Sequence, residues 1–422
     1  MSNATRLPRH IRQVLFAGVA TTATLAATPA AATNLGANFN LTTSPATGAM
    51  AGAGYVRPRD VYASVFGNPA TMAQESGDTS FQVGAAYMHV QPGARHDGSI
   101  VPAFEQKSEF NQYVLPQVAV RQRVNDRLVL GGGIGVISGL GSDFRNAPLS
   151  PQVTYMLFGA NLGAAYEVTD RLTLGLTGQM TYGLLEFGLA SDTGLKEQVG
   201  FRGLIGATYD LGPVMLGASY ASKLDQTFND VTATDLGPGA QPVFSDVTLD
   251  QPQEFHFGIA TTDSFSSTLS LEVDVIQLEY GSAQGFRDIW QDQTTLAMGA
   301  EYDTGHGWRL RTGFALHSEL RKKDVSGATS LGSLESILAP VGPGGAPAPL
   351  PVSPPVVQLV QATITQPYWQ KQISAGVGID LTDTITADFG ANYAFDGNTS
   401  FGGTELFNIE EVHIQFGISW TF

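Results

Sequence analysis

The chain has 422 residues and a formal net charge of −16, with charged residues at only 14% against roughly 25% in an average soluble domain. The acidic balance excludes a nucleic-acid partner gripped by a basic surface, and the absence of cysteine excludes disulfide frameworks, thiolate metal sites and cysteine nucleophiles. Beyond the N-terminus no run of 18 apolar residues occurs, which excludes a helical membrane bundle and leaves the β-barrel open to a glycine-rich, charge-poor chain.

Residues 1–32 carry Arg6, Arg9 and Arg12, a weakly apolar stretch at 14–27 and the small residues Ala30, Ala31 and Ala32. This pattern predicts a secretory signal peptide, with the mature chain beginning near Thr33. The alternative is an N-terminal anchor, which so short an apolar run serves poorly. Residues 33–78 do not alternate like a strand. Ser44-Pro45 reads as a helix start, a capping oxygen followed by proline. Gly48, Ala49, Ala51, Gly52, Ala53 and Gly54 suit packing in a confined space. Asp60 is placed to cap a second short helix carrying Val61, Val65 and Phe66. Proline in Gly67-Asn68-Pro69-Ala70 disfavours helical geometry at Asn68 and ends it. A compact segment of this kind predicts a hatch inside a barrel; the alternative is a disordered periplasmic tail.

From residue 79 to 422 period-two alternation recurs. It predicts strands near 80–90, 111–124, 127–138, 153–168, 171–188, 198–210, 213–223, 252–262, 266–280, 291–302, 308–319, 367–381, 384–396 and 411–422. Fourteen is an even number, as closure of an antiparallel bacterial barrel requires. The connections alternate in length. Short ones fall at 125–126, 169–170, 211–212, 263–264, 304–307 and 382–383, where Gly, Asn and Asp suit tight reversal. The longer ones are 91–110, 139–152, 189–197, 224–251, 281–290, 320–366 and 397–410. That asymmetry predicts periplasmic turns and extracellular loops, hence a multi-pass barrel in the bacterial outer membrane. Within 320–366, the proline-rich stretch 340–355 cannot pair as strand and reads as a loop insertion. The last segment is the cleanest: Val412, Ile414, Phe416, Ile418, Trp420 and Phe422 alternate with His413, Gln415, Gly417, Ser419 and Thr421. Trp420 and the aromatic end Phe422 are the expected signal to the barrel-assembly machinery.

Strand parity also points charges into the lumen: Arg121, Arg123, Arg309, Arg311, Glu272, Asp274 and Asp388. Charges there must pair or stay wet. Two roles are open to the arginines, bracing of the wall or a charge-assisted bond to a ligand carboxylate. No nucleophile elbow, zincin, phosphate-loop or dinucleotide motif occurs. The seven histidines stand singly. No catalytic residue, metal site or cofactor is therefore expected, although motif absence alone does not remove a scattered Ser/His/Asn esterase set.

The segment 44–72, with its glycine runs, Asp60 and Asn68-Pro69-Ala70-Thr71-Met72, resembles the N-terminal hatch of the FadL-type outer-membrane transporters of long-chain fatty acids and hydrocarbons. The resemblance continues at 126–133, 169–175, 216–223 and 309–314 and departs in the proline-rich loop. It implies passive transport of a fatty acid, alkane or aromatic, captured by extracellular loops and passed to an apolar pocket at the hatch. It implies release by rearrangement of the hatch N-terminus, here Thr33, Asn34, Leu35 and Phe39. Exit would be sideways into outer-membrane lipid beside a kinked early strand, matched here by the one holding Gly131, Gly132 and Gly133. A monomer is expected. The competing class is a general porin for polar solutes.

Overall fold

The computed structural model describes residues 38–39, 41–74, 77–90, 92–99, 101–148, 152–188, 194–234, 243–287, 290–322, 371–395, 399–401, 403–407 and 411–422. The expected signal peptide, Thr33, Asn34, Leu35 and the proline-rich stretch lie outside the described residues.

Twenty strands are described. In chain order they are β1 Thr79–Val90, β2 Gly93–His96, β3 Phe104–Lys107, β4 Gln112–Arg123, β5 Leu128–Asp143, β6 Gln152–Glu167 and β7 Leu172–Gly188. They continue as β8 Lys196–Asp210, β9 Val214–Ala221, β10 Thr227–Thr234, β11 Val243–Thr248, β12 Glu254–Thr261, β13 Leu269–Leu278 and β14 Gln293–Asp303. The last are β15 Trp308–His317, β16 Lys371–Thr382, β17 Ile385–Ala394, β18 Thr399–Phe401, β19 Thr404–Phe407 and β20 Glu411–Thr421. Fourteen of them close a barrel in the order β1-β20-β17-β16-β15-β14-β13-β12-β9-β8-β7-β6-β5-β4, every pair antiparallel and β4 returning to β1. These are the fourteen strands the alternation predicts.

The six short strands were expected to be loop. β10 pairs with β11, and β2, β3, β18 and β19 form a four-stranded sheet, all at the long-loop end. Runs of three to eight residues carry too little alternation to be recognised, and β2 meets β19 only across the closed barrel.

The barrel is apolar outside. Leu162 and Phe201 are 75% and 72% exposed, and Leu176, Val114, Phe257 and Ile414 are also bare. Water would not tolerate so continuous an apolar belt; hydrocarbon does. Tyr166, Tyr209, Tyr302 and Trp308 gather near the short turns, where aromatic girdles meet the membrane interface. Those turns are locally encoded: Asn125 Oδ1 accepts the Arg127 and Leu128 amides, and Thr169 Oγ1 accepts those of Arg171 and Leu172. At the same end Phe422 closes the seam, donating its amide to Thr79 O and accepting from Asp78 and Thr79.

The core lies inside. Residues 41–56 are buried without exception. A 3-10 turn at Gly48–Met50 packs on β14 to β17, helix α1 (Val61–Phe66) on β1 and β4 to β6, and a second 3-10 turn at Pro69–Ala73 on β5 to β8. A segment touching walls on opposite sides of a closed barrel occupies its lumen. Inner-face glycines make room for it. A side chain at Gly313 would land on the Met50 backbone, and one at Gly175 on Pro69 and Ala70. The helix expected after Ser44-Pro45 is only a turn leading into 3-10 structure, stopped by Ala51 in the left-handed region.

Candidate functional site

The lumenal segment is held by polar contacts of its own making and by the wall. Asp60 caps α1, its Oδ1 accepting the Ala63 amide at 2.8 Å. Its Oδ2 accepts the Ala46 and Thr47 amides at 2.8 and 3.1 Å and the Ser44 hydroxyl. Asn68 Oδ1 accepts the Ala70 amide at 3.1 Å, while its Nδ2 donates to Tyr55 O at 2.9 Å and to Ala207 O of β8 at 3.2 Å. Pro69 then opens the second 3-10 turn, where no amide is needed. From the wall, Asp274 accepts the Gly54 and Tyr55 amides and Glu272 those of Val56 and Arg57. Burial, and then the carboxylates of Glu254 and Asp274, push the Tyr55 phenol well above its ordinary range, so it stays neutral. Asn68→Ala removes three hydrogen bonds from this anchorage. It should loosen residues 54–74 by about 1–3 kcal/mol, read as faster amide exchange there, with the heat-modifiable mobility of the barrel retained.

The wall has a break. β5 carries a bulge between Val136 and Ser138 but otherwise pairs with β6 along its whole length. On its other side it pairs with β4 only from Gln117↔Gly135 to Arg123↔Val129. Above that, residues 112–116 of β4 pair with β1 alone. Pro116, which has no N–H to give, is the first β4 residue past the ladder. The two edges meet again at Asp143, whose carbonyl accepts the Glu109 amide at 3.1 Å and whose amide donates to Ser108 Oγ at 3.0 Å. Outside the break, Val114, Tyr87 and Ile414 form one exposed apolar row. Inside, the first described residues of the segment lie along the β5 edge that β4 has left. Asn38 bridges Ser138 in antiparallel fashion, and the Phe39 amide donates to Ile137 O at 3.1 Å.

Between the segment and the long-loop end lies the largest apolar cluster. Phe286 and Trp290 stack at 4.6 Å, Tyr280 meets Trp290 edge-on at 5.0 Å, and Tyr155, Phe228 and Ile276 complete it. The Tyr155 hydroxyl donates to Gln226 Oε1 at 2.9 Å and accepts from Gln251 Nε2 at 3.0 Å. Beneath runs a polar chain. Val65 O accepts from Asn161, whose Oδ1 accepts from Gln179. Gln179 Oε1 accepts from Arg202, which pairs with Glu254 at 2.6 Å. Glu254 Oε1 accepts from Asn38 Nδ2 at 2.7 Å. The chain thus ties α1 to the residue that lies on the free β5 edge.

The family model for outer membrane protein transport proteins (OMPP1/FadL/TodX) matches residues 23–324. The chain belongs to this family. It is a bacterial outer-membrane barrel, so its short turns face the periplasm and its long loops the outside. Among solved structures, the P. putida toluene transporter TodX is 17% identical at a TM-score of 0.65, over 90% of this chain and 98% of that one. The Ralstonia pickettii toluene transporter TbuX is 19% identical at 0.63, over 91% and 100%. A Pseudomonas aeruginosa FadL homologue is 14% identical at 0.64, over 90% and 98%. At these identities the likeness is one of fold. None of the curated proteins matches the sequence.

Within this FadL/TodX-family barrel the expected site residues fall in three places. Asn68, Pro69 and Ala70 sit together at the base of the lumenal segment, and Phe39 at the break. Gly131, Gly132 and Gly133 lie on the strand beside the break but below it, in the fully paired ladder. Side chains at Gly131 and Gly133 would strike Met72 and Phe66, so these glycines accommodate the segment. The four arginines all engage protein groups. Arg121 donates to Gly77 O, and Arg123 to Ala73 O and Glu167. Arg309 pairs with Asp380, and Arg311 with Glu301 and Asp388. Glu254, Arg202, Asn38 and Pro116 were not singled out from sequence; only Pro116, a proline inside an alternating strand, carried a local signal.

Proposed function

We propose that this protein carries hydrophobic small molecules passively across the outer membrane and releases them sideways through the break between β4 and β5. A fatty acid, an alkane or an aromatic fits the apolar cluster, and the family relatives TodX and TbuX are toluene transporters. The observation that carries this reading is the stretch of β5 that β4 does not pair, faced by exposed apolar side chains outside and by Asn38 and Phe39 inside. An apolar solute gains by leaving into lipid and gains nothing from a watery channel. In this reading residues 38–74 act as a hatch and the Phe39 end as its moving part. The four arginines brace wall and hatch, and Trp420 and Phe422 address the assembly machinery. The protein works as a monomer in lipid, without cofactor or catalysis. A porin for polar solutes fits poorly with a lumen crossed by a buried segment.

The test expresses the full chain in a bacterial host lacking such a transporter and follows labelled toluene, decane and glucose, with planar-bilayer conductance alongside. Uptake of toluene or decane well above the empty host, with little steady current, is expected. Glucose uptake with open-channel current would instead make it a porin.

A further inference from the structure

The inner wall opposite the apolar cluster carries a second, polar surface. Two rows of register define it. Tyr113, Met88, His413 and Asn392 lie side by side on β4, β1, β20 and β17. One step toward the outside, Glu411 of β20 lies in line with Gln372 of β16 across Ala394. Tyr113, Glu411, His413, Asn392 and Gln372 are each at least 97% buried. Glu411 and His413 touch each other. Yet the Tyr113 hydroxyl, Glu411 Oε2, His413 Nδ1 and Asn392 Oδ1 have no hydrogen-bond partner. Leaving buried polar groups orphaned is costly, so such a concentration calls for an occupant. Tyr113 stands on the part of β4 that has lost β5, which puts this surface directly behind the break.

We propose that it is a subsite for the polar end of a ligand whose body is apolar, and that the end it takes is a neutral hydrogen-bond donor, a hydroxyl. The orphaned atoms include the acceptors Glu411 Oε2 and Asn392 Oδ1. A hydroxyl can donate to them and accept from Tyr113. A ligand carboxylate has no proton to give them. The inference rests on the transport reading above and narrows it to hydroxylated hydrocarbons over fatty-acid anions.

The experiment compares uptake of labelled decane, 1-decanol and decanoate at pH 7 by the host expressing the full chain. Wild type should take up decanol about tenfold faster than decanoate, the discrimination expected when one buried polar partner decides. Glu411→Gln keeps an acceptor and adds an amide donor beside the ligand's polar end, so the decanol-to-decanoate ratio should fall toward one. Tyr113→Phe removes a single oxygen and should lower the decanol-to-decane ratio several-fold. Heat-modifiable mobility certifies each barrel, and the wild-type ratios need no variant. Decanoate entering wild type as fast as decanol, or ratios unmoved in both variants, overturns the subsite while decane uptake leaves the transport reading standing. Absence of uptake of decane and of toluene overturns both.

Discussion

A disulfide between Asn38→Cys and Ser138→Cys should abolish hydrophobic uptake, and reductant should restore it. The two residues are antiparallel bridge partners, and such partners have Cα atoms about 4.5–5.5 Å apart. That separation lies within the range a disulfide spans without moving the backbone. The chain has no cysteine of its own, so the engineered pair cannot mispair. Oxidised, it fixes the start of the lumenal segment on the free edge of β5, and the Phe39 amide stays on Ile137 O. If release requires this end to leave the edge, uptake falls by more than tenfold in the oxidised protein. It returns to the rate of the reduced double variant on reduction. A mass-verified crosslink that transports at the reduced rate would place the moving part elsewhere.

Most of the barrel was readable from the chain because lipid outside and a packed lumen inside impose opposite chemistry on alternate residues. Leu172, Leu174 and Leu176 against Thr173, Gly175 and Thr177 leave one way to place the strand. The lumenal segment was readable where its chemistry is local, as in the Asp60 cap and the Asn68-Pro69-Ala70 turn. Three features were not readable, each for the same reason. The break is an absence of pairing between β4 and β5, a relation between strands that alternation within either one does not encode. The run Gly131-Gly132-Gly133 announces a close approach, but only the fold says that Met72 and Phe66 are what approaches. Parity turned Arg311 inward, yet its partner Asp388 is 77 residues away and sits on another strand. Glu254 is the extreme case. Its alternation marks it as inward and nothing more, while the fold makes it the meeting point of β8, β12 and the first described residues of the chain.

Glu254→Ala should therefore unfasten the Asn38 end of the lumenal segment. The carboxylate is buried and holds Arg202 at 2.6 Å, His256 at 3.4 Å and Asn38 at 2.7 Å. Removing it leaves the Arg202 guanidinium buried with its bond to Gln179, a loss of about 3–5 kcal/mol when one partner of a buried pair is deleted. The barrel ladders do not pass through this side chain, so the cost falls on the lumen. Asn38 keeps its bridge to Ser138, and Phe39 its bond to Ile137 O and those it accepts from Thr42, but the pairing with β5 spans two residues and is too short to hold this end firmly. The Phe39 amide should then exchange at least tenfold faster, and steady current through planar bilayers should rise. Glu254→Gln keeps an oxygen for Asn38 while losing the charge for Arg202, and should fall between wild type and Glu254→Ala. If Glu254→Ala keeps both the Phe39 protection and the wild-type current, the polar chain from Val65 to Asn38 does not hold this end of the segment, and its contacts with β5 and Thr42 suffice.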